Sequence, residues 1–369
     1  TNVLRERIAQ ARNLENFELS QSYLAFWDKF ERCNYFLESI LETAALPTTD
    51  RTVMHILSTG VHDGGQWDMF ANIVRKYGVV PKDVYDETYQ SSNTRSMNAQ
   101  LNRALKVAAA GLRRMAADKA GADAIQAEKN KTLDAIYGFL CSCYGEPPKA
   151  FDFEFVDKDK VYHIEKNLTP LTFAERYVGD LLDQIVSIIN APTADKPYHK
   201  TYTIRLLGNV AEGRPVVHLN LTMDEFKAAI IAQLKAGKVV WFGSDVGHYG
   251  ERTMGIWDDN SFDFAALTGL PLAMDKTDAL DYGLAAMNHA MVLTGVNLDE
   301  AGKPTRWKIE NSWGDKNGEK GYYVCSDSWF DQYVFQAAVE KEYLGDLVKL
   351  AAQEPIVLEP WDPMGTLAD

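Results

Sequence analysis

The stretch from residue 91 to about 145 constrains the fold most. Ala and basic residues dominate residues 101–118, residues 119–140 keep helical character, and no strand signal interrupts them. Such a block reads as a helical insertion rather than the continuation of a mixed core. Elsewhere the patterns are more varied. Residues 17–46 carry Phe17, Tyr23, Phe26, Trp27, Phe30 and Phe36 at helical spacing, a stripe that points to core. Residues 68–77 read as a helix stopped by Gly78, with Val79-Val80-Pro81 extended after it. Thr222-Met223-Asp224-Glu225 is a capping box ahead of Phe226, Ile230 and Leu234, with Gly237 at the C-cap and a short buried strand over residues 238–243. Residues 289–296 and 305–311 flank a turn holding Gly302 and Pro304 and read as a hairpin. Residues 321–325 add a strand and residues 328–338 a short helix. Beyond Gln353, Pro355, Pro360 and Pro363 argue for a tail that runs extended along a surface or into a cleft.

With 369 residues, 46% hydrophobic and 24% charged, the chain can fill the cores of two or three domains, or one core with a large insertion. Intrinsic disorder, collagen-like fibres and disulfide scaffolds are excluded. No apolar run approaches the roughly 18 residues of a membrane span, so no membrane partner is expected. Thirty-eight basic against 52 acidic residues leave a net charge of −14, which repels phosphate backbones and argues against nucleic acid. Cys33, Cys141, Cys143 and Cys325 are too few and too scattered for a disulfide framework, and with no secretory signal they favour a cytoplasmic location. Cys141 and Cys143 lack the further ligands of a tetrahedral zinc site, so no metal or cofactor is expected.

Residues 1–14 already show helical periodicity, with Val3, Leu4, Ile8, Ala11 and Leu14 recurring on one face. Thr1 reads in three ways: as the helix cap, as a residue inside a helix whose first turns are missing, or as an N-terminal nucleophile.

Three local patterns carry chemistry. Asn288-His289-Ala290-Met291 opens a strand; Asn311-Ser312-Trp313-Gly314 comes 22 residues after His289; Asp63-Gly64-Gly65-Gln66-Trp67 lies upstream. Taken singly, each has a bland reading: a core or surface histidine, a turn, a second turn. Together they resemble the papain-like cysteine peptidases, and more closely the bleomycin hydrolase and aminopeptidase C family. The segments FELSQSYLAFWDKFERCNYFLE, DGGQWDMFANIVRKYGVVPKDVY, NHAMVLTGV, WKIENSWG and EPWDPMGTLA carry that resemblance over essentially the whole chain.

The resemblance implies an α+β, papain-like two-domain fold with a large, mainly helical oligomerisation insertion. The implied division is a helical subdomain over residues 1–90, the inserted arm over 91–220, a β-rich subdomain over 221–345 and a tail over 346–369 entering the cleft. It implies that His289 is general base and then acid, that Asn311 orients its ring, and that Trp313 shields the His–Asn bond from water. Gly64 and Gly65 would let substrate backbone approach, because no Cβ intervenes. Ala368 and Asp369, at the chain end, would form the gate that meets a substrate's α-amino group. Peptides are the implied substrates and a homohexamer the implied assembly.

One departure stands out. The family places its nucleophile in a Gln-x-x-x-x-x-Cys-Trp pattern, and none of the four cysteines lies in one. In the resembling family, residues 1–14 would continue the nucleophile helix just past its cysteine. The expectation is therefore a thiol aminopeptidase seen without its nucleophile segment and inactive as it stands. The rival is a catalytically inert pseudopeptidase or fragment that serves as an oligomeric peptide-binding shell.

Overall fold

The computed structural model describes residues 1–368 and divides the chain into two compact units. The first comprises residues 1–182 and 206–216 together with Ala368; the second comprises residues 183–205 and 217–367.

The first unit is mainly helical. It contains α1 (Asn2–Ala11), α2 (Gln21–Glu42), α3 (Trp67–Tyr77), α4 (Arg95–Ala117) and α5 (Ala122–Tyr144), then an antiparallel hairpin of β1 (Phe151–Val156) and β2 (Tyr162–Leu168). Ser20 caps α2 by accepting from the Tyr23 N–H at 3.1 Å. The aromatic stripe of α2 is core, as its spacing predicts: Trp27 stacks on Tyr77 at 3.9 Å, and Phe26 meets Tyr137 edge-on at 5.5 Å. Gly78 ends α3 with φ +76°, and a Cβ there would lie 2.1 Å from the Pro170 carbonyl oxygen, so both backbone shape and space demand glycine.

The second unit is built on a sheet of eleven strands. In chain order these are β3 (Ile185–Ile189), β4 (Thr201–Ile204), β5 (His218–Asn220), β6 (Val240–Ser244), β7 (Gly250–Glu251), β8 (Ile256–Trp257), β9 (His289–Leu298), β10 (Pro304–Glu310), β11 (Tyr322–Ser326), β12 (Val334–Glu340) and β13 (Ile356–Leu358). Across the sheet they run β13-β4-β5-β3-β12-β6-β9-β10-β11-β8-β7. Helix α6 (Met223–Lys235) starts at the Thr222/Glu225 capping box read from the sequence. Phe226 and Ile230 of that helix share one core with Phe242, Leu293, Trp307 and Val339.

Strand β3 pairs antiparallel with β12 over five positions and so draws residues 183–205 into the sheet. The architecture is α+β, and two local elements depart from expectation. The helix expected over 328–338 stops early: α7 (Asp327–Tyr333) gives way to β12, whose seven residues are all buried. A strand covered on both faces has no polar alternation to announce it. The tail is extended only at β13, which pairs parallel with β4, and then coils into 3₁₀ turns over Pro363–Ala368. Proline is tolerated in a first helical turn, and the Asp362 carboxylate caps that turn through the Met364 N–H at 2.9 Å.

Candidate active site

His289 opens β9 opposite Ser244 of β6, and Asn311 follows the last residue of β10. Since β9 and β10 are antiparallel neighbours, their far ends bring together side chains 22 residues apart. His289 Nε2 donates to Asn311 Oδ1 at 2.8 Å. The same Oδ1 accepts the Ser312 N–H at 2.8 Å, so the amide is fixed by its own turn. With Nε2 protonated, Nδ1 keeps the lone pair. Trp313 stacks on the imidazole at 4.7 Å and 28°, and the Arg252 guanidinium lies 4.7 Å from the other ring system's centroid. Burial holds His289 below its ordinary value, partly offset by the bond to Asn311. A neutral ring with one defined tautomer is equipped to take a proton at Nδ1 and return it.

The backbone entering this strand is anchored by Asp245, which is buried. Its carboxylate accepts from Asn288 Nδ2 at 2.7 Å, the Gly247 N–H at 2.9 Å and the Ala286 N–H at 3.1 Å. Burial pushes Asp245 up, but the His248 bond and these N–H groups prevail and hold it below the usual carboxylate range. The Thr366 hydroxyl donates to the Met287 carbonyl at 3.0 Å, two residues before His289. Leu367 packs so closely on Gly243 that a Cβ there would lie 2.9 Å from Leu367 Cδ2.

The second set of expected residues gathers around Arg32. Its Nη2 donates to the Gly64 carbonyl, its Nη1 to the Ala368 carbonyl at 3.3 Å, and its Nε to Asp28 Oδ2 at 2.7 Å. A Cβ on Gly65 would lie 3.1 Å from Arg32 Nη2, so the glycine leaves room for the guanidinium. One turn earlier on α2, Lys29 reaches the His62 carbonyl at 2.5 Å and Asp63 Oδ1 at 2.5 Å. Burial pushes Asp63 up, but Lys29 outweighs it and holds the carboxyl at about 2. Asp369 lies outside the described residues.

The structure thus joins His289, Asn311 and Trp313 in one cluster, and Gly64, Gly65 and Ala368 in another. Lys29, Arg32, Asp28 and Asp245 escaped the sequence reading. The first three had a signal: cations one turn apart, with Asp28, inside an otherwise aromatic helix.

Burial pushes the Cys33 thiol up to about 12, the Cys325 thiol well above its ordinary value, and Cys143 upward too. Groups of three His, Cys, Asp or Glu able to hold a metal are absent among the described residues, as is any helix long and apolar enough to cross a membrane.

Residues 1–365 match the model of the peptidase C1-like family. Over 369 residues the chain is 51% identical to aminopeptidase C of Streptococcus thermophilus, covering 100% of this chain and 83% of the relative. Human bleomycin hydrolase is 39% identical over 376 residues, with the same two coverages. The crystal structure of PepW from Lactobacillus rhamnosis superposes with a TM-score of 0.96 at 52% identity, covering 99% of this chain and 82% of that one. The fold is the papain-like α+β fold of that family.

Proposed function

The chain belongs to the peptidase C1-like family, and from that premise we propose that it removes N-terminal residues from peptides by cysteine-type hydrolysis. The observation that carries this reading is the 2.8 Å bond from His289 Nε2 to Asn311 Oδ1 beneath Trp313. His289 Nδ1 takes the proton of an attacking thiol and later delivers it to the leaving amine. Asn311 holds the ring in the tautomer that makes this transfer, adding no charge. Trp313 keeps water from their bond. Gly65 offers its backbone to the substrate, whereas the Gly64 carbonyl is already engaged by Arg32. The chain end supplies the gate that reads the free α-amino group.

On this reading the thiol is none of the four cysteines, since none lies in the family's Gln-x-x-x-x-x-Cys-Trp pattern and burial raises three of them. It comes from sequence outside these 369 residues, and without it the chain alone is inactive. We place the enzyme in the cytoplasm, as a homohexamer acting on peptides without a cofactor. The test is intact mass and hydrolysis of a free-amine peptide by the full-length protein, before and after an irreversible thiol-directed epoxide. One adduct with loss of activity supports the reading. An unmodified, inactive protein would leave a peptide-binding shell instead.

A further inference from the structure

Arg32, buried in the first unit, is a residue to which neither the family resemblance nor the proposed mechanism assigns a role. We propose that Arg32 is a positioning residue that latches the chain end to the Gly64–Gly65 loop, and so sets how strictly a free substrate N-terminus is required. The proposal rests on the aminopeptidase reading for its functional half, while the latch itself stands on geometry alone.

Arg32 uses three separate directions of its guanidinium. Nη1 serves Ala368, Nη2 serves Gly64 and Nε serves Asp28. A planar fork can do this at once; a single ammonium cannot reach two carbonyls and keep the carboxylate. The orientation is enforced from behind. Asp28 Oδ1 accepts from Asn209 Nδ2 at 2.9 Å, and the same Nδ2 donates to the Met69 carbonyl at 2.9 Å. Asn209 is fully buried, so this support is not exchanged with water. Met69 and Val216 in turn pack on Ala368, which is 5% exposed. The contacts close a ring: Arg32 to Asp28, Asp28 to Asn209, Asn209 to Met69, Met69 to Ala368, and Ala368 back to Arg32. One side chain therefore fixes the last described residue of the chain and the substrate loop to the same frame.

Two consequences are specific. Losing the guanidinium frees the chain end without touching His289 or Asn311. It also leaves the Gly64 carbonyl unpaired, loosening the loop that receives substrate backbone. The effect belongs in the selection between free and blocked N-termini rather than in the chemical step.

The test uses the full-length protein as wild type, Arg32→Gln, Arg32→Lys and Asp28→Asn, with folding checked by circular dichroism. Digestion with carboxypeptidase Y, read by mass, reports local opening of the chain end directly. Arg32→Gln and Arg32→Lys are expected to lose Ala368 about tenfold faster than wild type, the factor given by a lost charge-assisted hydrogen bond. Hydrolysis of an N-acetylated peptide relative to its free-amine twin should rise in parallel, with kcat for the free peptide little changed. A folded Arg32→Gln that protects its end as wild type does overturns the latch. If that variant does not fold, Asp28→Asn decides, with several-fold faster trimming expected and unchanged trimming overturning the proposal. Faster trimming in a protein that cleaves no peptide sustains the latch and removes the aminopeptidase reading. An active aminopeptidase with unchanged trimming does the reverse.

Discussion

The loop at residues 62–65 and the strand end at His289 are both held in place from behind, by opposite means. The loop is pinned by basic side chains: Lys29 on His62 and Asp63, Arg32 on Gly64. The imidazole is held by a neutral amide and an indole face. A binding surface needs fixed backbone geometry, which charge-assisted bonds give. A proton carrier needs a partner that orients it without deciding its charge. Exchanging the two kinds of support would spoil both regions.

The sharpest way to break this comparison is His289→Ala in the full-length enzyme. It should lower kcat for a free-amine peptide roughly ten-thousandfold with little change in KM. An equal change in KM would mean that His289 binds substrate rather than moving its proton. Next in size, Lys29→Met should destabilise the protein by about 2 kcal/mol in urea unfolding, because the Asp63 carboxylate and the His62 carbonyl lose their cation. Its kinetic signature should be a raised KM. A raised kcat barrier instead would erase the distinction between the regions. Asn311→Ala should cut kcat by roughly ten- to thirtyfold, since the ring loses its orienting acceptor but not its basicity.

The smallest effect tests the covering ring. Burial depresses His289, so its neutral form persists below the ordinary titration range. The sign for stability follows: the unfolded chain binds the extra proton first, and this group lowers stability as pH falls from about 6.5 toward its folded value. Trp313→Ala exposes the ring and should move its titration upward, with a few-fold loss of kcat. NMR titration of the imidazole in wild type and variant reads the shift. A downward movement would mean that the indole favours the charged ring.

Legibility from sequence differed between these regions for a physical reason. His289, Asn311 and Trp313 sit at strand ends and turns, where short contiguous patterns survive as motifs. The 289–310 hairpin and the 222–225 cap were equally plain, because turn and cap chemistry is local. Lys29, Arg32 and Asp28 act on residues distant in sequence, at 62–64, 209 and 368, and nothing local marks a buried cation's destination. Strand β12 hid for another cause: VFQAAVE is buried throughout, so its period is invisible and its length fits either element. The tail's final turns depart from the extended reading because proline breaks an element only in its interior, whereas Pro363 stands where a turn begins.

The excursion of residues 206–216 sets the order in which this polypeptide can mature. During synthesis, Asp28 is made long before Asn209, its partner 181 positions later. Strand β3 likewise waits for Gln336, opposite Ile189, before it gains its antiparallel neighbour. Neither unit has all of its segments until nearly the entire chain has left the ribosome, so the early helices persist meanwhile on the packing available within residues 1–182. Cutting the gene between the units would yield no independently complete half; each would lack segments that the other carries.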